Sequence, residues 1–188
     1  AAILPYSYSG TLGLVQMGVV NGRFWNRLGA SQLERSICGA AAEFAVNTTL
    51  GVRQTQRYQD TVHSQLIIVW GHNPVSTAPH FMPYLKEAQR NGAQLVVIDP
   101  RRTRTAKGAD WHLAPKPATD GALALGLAHI IVNENLHDEA WLAENTVGWP
   151  ELKARLADYP PTRVAQITGL SAGDIVKLAR LYAGVKPG

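Results

Sequence analysis

Two short apolar runs, each ending in a polar loop, place the strongest constraint on the fold of this 188-residue chain. The first is Leu66–Trp70, followed by Gly71-His72-Asn73-Pro74, and the second is Gln94–Ile98, followed by Asp99-Pro100-Arg101-Arg102-Thr103. Runs rich in Ile and Val predict strands that are covered on both faces, as in a parallel sheet. Ligands of such sheets bind where the carboxyl ends of the strands open into loops. The sequence therefore predicts an α/β fold with a binding site at these two loops.

The rest of the chain repeats this strand–helix order. A first short strand is predicted at residues 2–4, and an extended piece at 111–114 follows the two apolar runs. Helices are predicted at residues 23–28, 38–51, 79–91, 120–134, 139–144, 149–156 and 171–182. Tyr159-Pro160-Pro161 and Gly169 are interpreted as breaks between the last of these helices. Parallel strands joined by helices form right-handed crossovers, so we expect a parallel, Rossmann-like sheet flanked by helices. Residues 139–188 are interpreted as a helical extension of one domain that covers residues 1–188.

Composition excludes several classes of protein. The chain is 46% hydrophobic and 17% charged, as expected of an ordinary globular domain. Its formal charge of +4 is scattered, which favours a small anionic cofactor over nucleic acid. The single cysteine excludes an internal disulfide and a self-contained zinc or iron–sulfur cage. No apolar run is long enough to cross a bilayer, no targeting signal is present, and Ala1 begins in mid-pattern, so we expect a piece of a longer protein.

The turn after the first apolar run has the composition of a phosphate-binding loop. Gly71-His72-Asn73-Pro74 lacks the G-x-G-x-x-G fingerprint, which argues against a standard NAD site. Gly71 removes a Cβ where the backbone leaves the sheet, and amides at the start of the next helix are expected to face a pyrophosphate. The alternative is an ordinary strand-to-helix turn in which Asn73 satisfies local backbone groups.

The second loop joins an acidic residue to several basic ones. Asp99 directly follows an apolar strand, the position at which α/β nucleotide sites place an acid to accept both ribose hydroxyls. Arg101, Arg102 and Arg104 carry forked donors suited to phosphates. The alternative is a solvated basic loop in which Asp99 pairs with an arginine.

A third motif, Pro117-Ala118-Thr119-Asp120-Gly121-Ala122-Leu123-Ala124-Leu125, begins the long predicted helix. With the two loops it makes the chain resemble the molybdopterin-dependent oxidoreductases of the dimethyl sulfoxide reductase and formate dehydrogenase superfamily. The resemblance implies the cofactor-binding domain of that superfamily. It also implies that Gly71, His72, Asn73 and Pro74 touch the pterin dinucleotide, and that Asp99, Pro100 and Arg101 lie against its nucleoside.

Asp120 is the candidate for recognition of guanine. Guanine presents two adjacent donors, N1–H and N2–H₂, that one carboxylate accepts side by side. The alternative is that Thr119 or Asp120 simply caps the helix, and both roles are compatible. The family has glycine where this chain has Ala118, so the turn must avoid positive φ or accept strain.

Cys38 is the candidate metal ligand. A lone cysteine is commonly a small buried hydrophobe. Next to Arg35 at a helix start, however, a thiolate is stabilised, and thiolates suit molybdenum and tungsten. In formate-dehydrogenase-like members the cysteine or selenocysteine that binds the metal lies in the corresponding segment, so the resemblance makes Cys38 both the metal ligand and the catalytic residue.

The resemblance implies one molybdopterin guanine dinucleotide on this segment of a molybdenum or tungsten enzyme that binds two. The complete enzyme would act on a small-molecule substrate by two-electron redox chemistry or oxygen-atom transfer. It would carry a [4Fe-4S] cluster in a further N-terminal domain, a further C-terminal domain and electron-transfer subunits, and the isolated piece would be inactive. The alternatives are a non-catalytic structural relative, as in the iron–sulfur subunit of complex I, and an unrelated NAD or NTP enzyme, whose motifs are absent. The histidines are assigned no role, and His129 is expected to be a satisfied core residue.

Overall fold

The computed structural model describes residues 2–6, 20–33, 38–53 and 55–185, with the backbone but not the side chain of Cys38. Arg35, the residue expected to stabilise a thiolate at Cys38, lies outside the described residues. The chain divides into two compact units, residues 1–55 and 56–188. The single-domain assignment stays a prediction, and each unit is described by itself.

The first unit contains two described helices, α1 (Val20–Arg27) and α2 (Cys38–Leu50). Both were predicted to within a few residues. The strand predicted at residues 2–4 is wrong, because these residues pair with no strand and the carbonyl of Ile3 instead accepts a hydrogen bond from the Ser31 amide at 2.9 Å. A three-residue apolar run followed by Pro5, which has no backbone N–H, is too short to form a ladder.

The second unit is built on a three-stranded parallel sheet. Its strands are β1 (Leu66–Trp70), β2 (Gln94–Ile98) and β3 (Trp111–Leu113), in the order β1-β2-β3. Leu66 pairs with Gln94, and Val96 pairs with Trp111. The predicted parallel α/β fold is confirmed, and the carboxyl ends of the strands meet at one edge.

Helices surround this sheet. They are α3 (Pro74–Thr77), α4 (Met82–Arg90), α5 (Asp120–Asn133), α6 (Glu139–Asn145), α7 (Trp149–Leu156), α8 (Pro161–Thr168) and α9 (Ala172–Gly184). Short 3₁₀ turns lie at Tyr58–His63, Pro79–Phe81 and Ala106–Gly108.

Prolines explain two of the differences between the predicted and the observed helices. The predicted helix 79–91 is instead a 3₁₀ turn at Pro79–Phe81 followed by α4, which has Pro83 in its first turn. Helix α8 was missed because Pro160-Pro161 was interpreted as a break. Pro161 is the first residue of α8, a position that needs no backbone N–H.

Alternating side chains of the strands fill two cores, one on each face of the sheet. The first core combines strand residues with residues of α5, α8 and α9: Leu66, Val96, Ile98, Leu113, Leu123, Leu127, Ile130, Val164, Ile175, Leu178 and Ala179. The second combines strand residues with α4 and the neighbouring turns: Ile67, Val69, Leu85, Ala88, Ala93, Leu95, Val97 and Ala106. Trp70 packs against the first core, so its indole lies on the same face of the sheet as α5.

Gly126 sets the distance between α5 and α8, and Gly126→Ala is expected to destabilise the protein. A Cβ at this position would lie 2.8 Å from Cγ2 of Val164, which is fully buried. Overpacking of this kind costs about 1–3 kcal/mol, which exceeds the gain in helix propensity of about 1 kcal/mol. Gly121→Ala in the same helix is the control, because nothing lies within 4 Å of its Cβ position. Urea unfolding of both variants measures the difference, and an unchanged or increased free energy of unfolding for Gly126→Ala would contradict the packing argument.

Glu139 joins the start of α6 to α7 through a cluster of hydrogen bonds. It accepts from Nε2 of His137 at 2.7 Å, Nε1 of Trp149 at 3.1 Å and Nζ of Lys153 at 3.0 Å. These bonds, that from His137 first, lower the pKa of the Glu139 carboxyl from 4.5 to about 2.

A carboxylate whose pKa is lowered by folding stabilises the protein above its unfolded pKa. That contribution is lost as pH falls from about 4.5 through about 2. We therefore expect Glu139→Gln to lower the Tm at pH 7, and the difference from wild type to shrink over this interval. Glu144→Gln, in the same helix at an exposed position, is the control. A difference in Tm that stays constant from pH 7 to pH 2 would show that ionisation of Glu139 contributes nothing.

Candidate functional site

The first loop leaves the sheet through a left-handed residue. Gly71 has φ of +61°, and its amide donates to the Ile98 carbonyl at 2.8 Å, so it still belongs to the edge of the sheet. Nothing lies within 4 Å of the position of its missing Cβ. Glycine is therefore required by the backbone conformation and not by a crowded neighbour.

Asn73 fixes the first loop to the second. Its Oδ1 accepts from the Thr105 hydroxyl at 2.6 Å, and its Nδ2 donates to the Ser76 hydroxyl at 3.1 Å. Its backbone carbonyl accepts from the amides of Ser76 and Thr77. Asn73 thus satisfies local backbone groups with its main chain, while its side chain holds the two loops together.

The helix after this turn differs from the one expected. Pro74 is buried and begins α3, which has only four residues. A helix of this length carries little macrodipole, so the expected contribution of its amides to phosphate binding is small. His72 is exposed and makes no hydrogen bond within the described part of the chain.

Asp99 is held in place by three polar contacts. Its amide donates to the Leu113 carbonyl at 3.0 Å, its carbonyl lies 2.8 Å from Nε2 of His112, and its Oδ1 accepts from the Arg101 amide at 2.8 Å. Among the described residues no arginine or lysine forms an ion pair with Asp99, and its Oδ2 has no hydrogen-bond partner. The alternative of an Asp99–arginine pair therefore has no support, and one carboxylate oxygen is left for a ligand.

The basic side chains of the second loop are exposed around a rigid backbone. Arg101, Arg102 and Arg104 are exposed, and none has a carboxylate partner within the ranges that the structure describes. Thr103 and Thr105 between them are buried, and the Thr103 hydroxyl accepts from the Ala106 amide at 3.1 Å. The buried threonines fix the loop, so the guanidinium groups are displayed towards solvent. Pro100, next to them, is exposed as well.

Asp120 is the first residue of α5 and is exposed. Its Oδ1 accepts from Nε1 of Trp70 at 2.6 Å. The Thr119 side chain donates to the Lys116 carbonyl at 2.6 Å, and no side chain caps the amides of this helix. Neither Thr119 nor Asp120 therefore caps α5 with its side chain.

Ala118 adopts positive φ, at +63°. Of the two alternatives for this turn, avoidance of positive φ or acceptance of strain, the structure contains the strained form. For a residue with a Cβ this conformation costs about 1–2 kcal/mol. The Lys116 amide, which donates to the Thr168 carbonyl at 2.8 Å, helps to hold the strained turn in place.

The sheet brings the predicted residues of the second unit to one edge. Asp99 follows β2, Gly71 follows β1, and the Trp70–Asp120 hydrogen bond joins the start of α5 to the end of β1. The two aspartates therefore lie at the same edge of the sheet as the Gly71–Pro74 turn. Sequence reasoning missed the contacts of His112, Thr105 and Trp70. Of these only Trp70 had a signal, since the alternation through β1 places it on the side of α5.

Cys38 lies in the first unit, where it begins α2. Its side chain is outside the described residues, so its metal-binding role stays a prediction. Within the ranges that the structure describes, no three His, Cys, Asp or Glu side chains come together around a possible metal position. Both ring nitrogens of His129 are satisfied, because its Nδ1 lies 2.7 Å from the Leu156 carbonyl and its Nε2 lies 2.7 Å from Nδ2 of Asn133, but the residue is half-buried and not part of either core.

The second unit is an α/β structure whose parallel sheet presents two carboxylates, a left-handed glycine and three exposed arginines at its carboxyl edge, where such sheets bind their ligands. The family model described as molybdopterin oxidoreductase matches residues 5–180. The chain belongs to this family.

The similarity to individual proteins supports the assignment to the molybdopterin oxidoreductase family. The chain is 44% identical over 186 residues to probable oxidoreductase YoaE of Bacillus subtilis, covering 99% of this chain and 27% of that protein. It is 40% identical over 124 residues to formate dehydrogenase H of Escherichia coli, covering 66% of this chain and 17% of that protein. The solved structure of acetylene hydratase from Pelobacter acetylenicus superimposes with a TM-score of 0.70 at 36% identity, covering 89% of this chain and 23% of that one. The chain thus spans about a quarter or less of the length of these relatives.

Across the residues that the structure describes, no helix has both the length and the apolar character needed to span a membrane.

Proposed function

We propose that this chain is the part of a molybdenum or tungsten oxidoreductase that binds one molybdopterin guanine dinucleotide. The observation that carries the proposal is that Asp99 and Asp120, each with an oxygen that no described residue occupies, lie at the same sheet edge as the Gly71 turn. A dinucleotide with a ribose, a base and phosphates needs these kinds of acceptor together with cations.

The donor and acceptor chemistry of the edge fits such a group. The Asp120 carboxylate accepts the N1–H and N2–H₂ groups of guanine, because each carboxylate oxygen has two acceptor sites and Oδ1 keeps one after accepting from Trp70. Asp99 accepts ribose hydroxyls through Oδ2, and Arg101 and its neighbours bind phosphate oxygens with forked donors.

The remaining candidate residues form the walls of the site. Gly71, His72 and Pro74 supply backbone where the chain turns away from β1, while Asn73 holds the two loops together. Pro100 and Thr119 fix the turns that carry Asp99 and Asp120. These residues orient the dinucleotide and exclude water from its phosphates, and the thiolate of Cys38 holds the metal.

The cofactor, when bound, supplies two-electron redox chemistry or oxygen-atom transfer on a small substrate. Relatives named formate dehydrogenase H, assimilatory nitrate reductase catalytic subunit and acetylene hydratase indicate that the substrate differs among members. The full-length protein is proposed to add a second dinucleotide, a [4Fe-4S] cluster and further domains, and to exchange electrons with partner subunits. The isolated chain is proposed to be inactive, since it holds only part of that site.

Nucleotide and metal analysis of the purified full-length protein tests the proposal. Mild acid hydrolysis should release guanosine monophosphate at about two per chain, with about one molybdenum or tungsten by elemental analysis. Cytidine or adenosine monophosphate in place of guanosine would overturn the assignment of Asp120. Absence of any nucleotide and metal from protein produced in a host that makes the cofactor would favour the non-catalytic structural relative.

A further inference from the structure

Trp70 makes the one described side-chain contact to the Asp120 carboxylate. The bond from Nε1 of Trp70 to Oδ1 of Asp120 is 2.6 Å long and joins residues 50 positions apart in the chain. Indole N–H is only ever a donor, and a bond from a donor to an ionised carboxylate is of the short, strong kind. The contact therefore fixes which of the two oxygens faces the sheet.

The position of Trp70 in the fold aims its indole at that carboxylate. Trp70 is the last residue of β1, and with Leu66 and Ile68 it faces the first core, on the side of α5. It is half-buried, so packing holds the ring while its N–H reaches the exposed start of α5. A tryptophan needed only for packing has no reason to direct its N–H at a carboxylate on a neighbouring element.

The bond leaves Oδ2 of Asp120 without a hydrogen-bond partner in the described part of the chain. A carboxylate that rotates freely must be immobilised when a ligand binds, which costs affinity, whereas one held by an indole is already oriented. Recognition of two adjacent donors needs both oxygens in one plane with the base. An oriented carboxylate therefore favours a base with two such donors over a base with one.

We propose that Trp70 is a positioning residue that orients the Asp120 carboxylate and thereby determines the preference of the site for guanine. This inference rests on the proposed function, because it assumes that Asp120 contacts the base. Trp70 touches the carboxylate and not the reacting atoms.

Binding of two nucleotide probes to the full-length protein tests this role. The protein is produced in a host that cannot make the pterin, so that the site is free, and is titrated with GDP and with IDP, whose hypoxanthine base lacks the 2-amino donor. We expect wild type to bind GDP about 10-fold more tightly than IDP, which corresponds to the free energy of one hydrogen bond to a charged group. We expect Trp70→Phe to reduce that preference to about 3-fold or less, since the carboxylate then rotates.

Trp111→Phe is the matched control. Trp111 lies on β3 and packs against the same core, and no hydrogen bond from its indole is found among the described residues. The Trp111→Phe variant loses the same ring volume as Trp70→Phe, and its ratio of GDP to IDP affinity should equal that of wild type. In a double-mutant cycle, Trp70→Phe combined with Asp120→Asn should bind GDP no more weakly than Asp120→Asn alone.

The outcomes separate this inference from the proposed function. Equal GDP-to-IDP ratios in wild type, Trp70→Phe and Trp111→Phe, with Asp120→Asn still weakening GDP, would overturn the positioning role and leave the guanine site standing. No binding of GDP by wild type, or no effect of Asp120→Asn, would overturn both.

Discussion

Cys38→Ala in the full-length protein is expected to reduce turnover by at least about 100-fold while the dinucleotides stay bound. Loss of a residue that merely supports a metal ligand costs roughly 10–100-fold, and loss of the ligand itself should cost at least as much. The phosphate and guanine contacts proposed for Asp99, Asp120 and Arg101 do not depend on sulfur. Activity, metal content and released guanosine monophosphate are measured on the same purified sample, so that chemistry and cofactor binding are separated.

Cys38→Ser is the control for this prediction. Serine keeps the size of the side chain and offers an oxygen ligand, which is harder than a thiolate, so we expect an altered absorption spectrum of the metal centre with activity between wild type and Cys38→Ala. Full activity in Cys38→Ala would make the cysteine an ordinary packing residue. Equal loss of activity, metal and nucleotide in both variants would indicate a role in folding.

Much of the sheet was predictable because its strands are defined locally. Leu66–Trp70 and Gln94–Ile98 are apolar runs rich in β-branched residues with polar loops after them, and the structure begins and ends both strands at the predicted residues. The same local reasoning failed for α8, where a proline pair was interpreted as a break although the second proline is the first residue of the helix. Local pattern thus locates a buried strand more securely than a helix that begins at proline.

The positions of the acidic site residues were predictable from the sequence, but their hydrogen-bond partners were not. Asp99 follows a strand and Asp120 starts a helix, so the rule that ligands bind at the carboxyl edge brings both to one place. The contacts that hold them come from residues far away in the chain. Trp70 bonds to Asp120 across 50 positions, and Thr105 bonds to Asn73 across 32. Such pairs depend on how the elements pack, which no local pattern encodes.

The strained turn before Asp120 depends both on its local backbone conformation and on contacts with residues far away in the chain. Ala118 has positive φ where the resemblance would place glycine, and the strain is held by contacts such as that between Lys116 and Thr168. Strained residues persist where the surrounding structure determines them, and they cluster at binding sites. The turn therefore fixes the backbone from which Asp120 projects, while Trp70 fixes its carboxylate.

Asp120→Ala in the full-length protein is expected to weaken retention of the dinucleotide by about 5–150-fold. In the proposed site, the substitution would leave two guanine donors without an acceptor, which costs about 1–3 kcal/mol when they are shielded from water. Because the proposed guanine contact is separate from the proposed metal ligand Cys38, the loss should appear first as a lower guanosine monophosphate content. Activity divided by bound metal should fall much less than it does in Cys38→Ala.

Asp138→Ala is the matched control for this loss, since Asp138 is also an acid at the start of a helix. Its side chain accepts from the Trp141 amide at 2.9 Å and caps α6. Loss of this cap should lower the free energy of unfolding by about 0.5–2 kcal/mol and leave the nucleotide content unchanged. Asp120 caps no amide, so its replacement should show the opposite pattern of changed nucleotide content and little change in stability. If both variants instead lost stability and nucleotide to the same extent, Asp120 would act through the fold, and the acceptor for guanine would have to be sought elsewhere along the sheet edge.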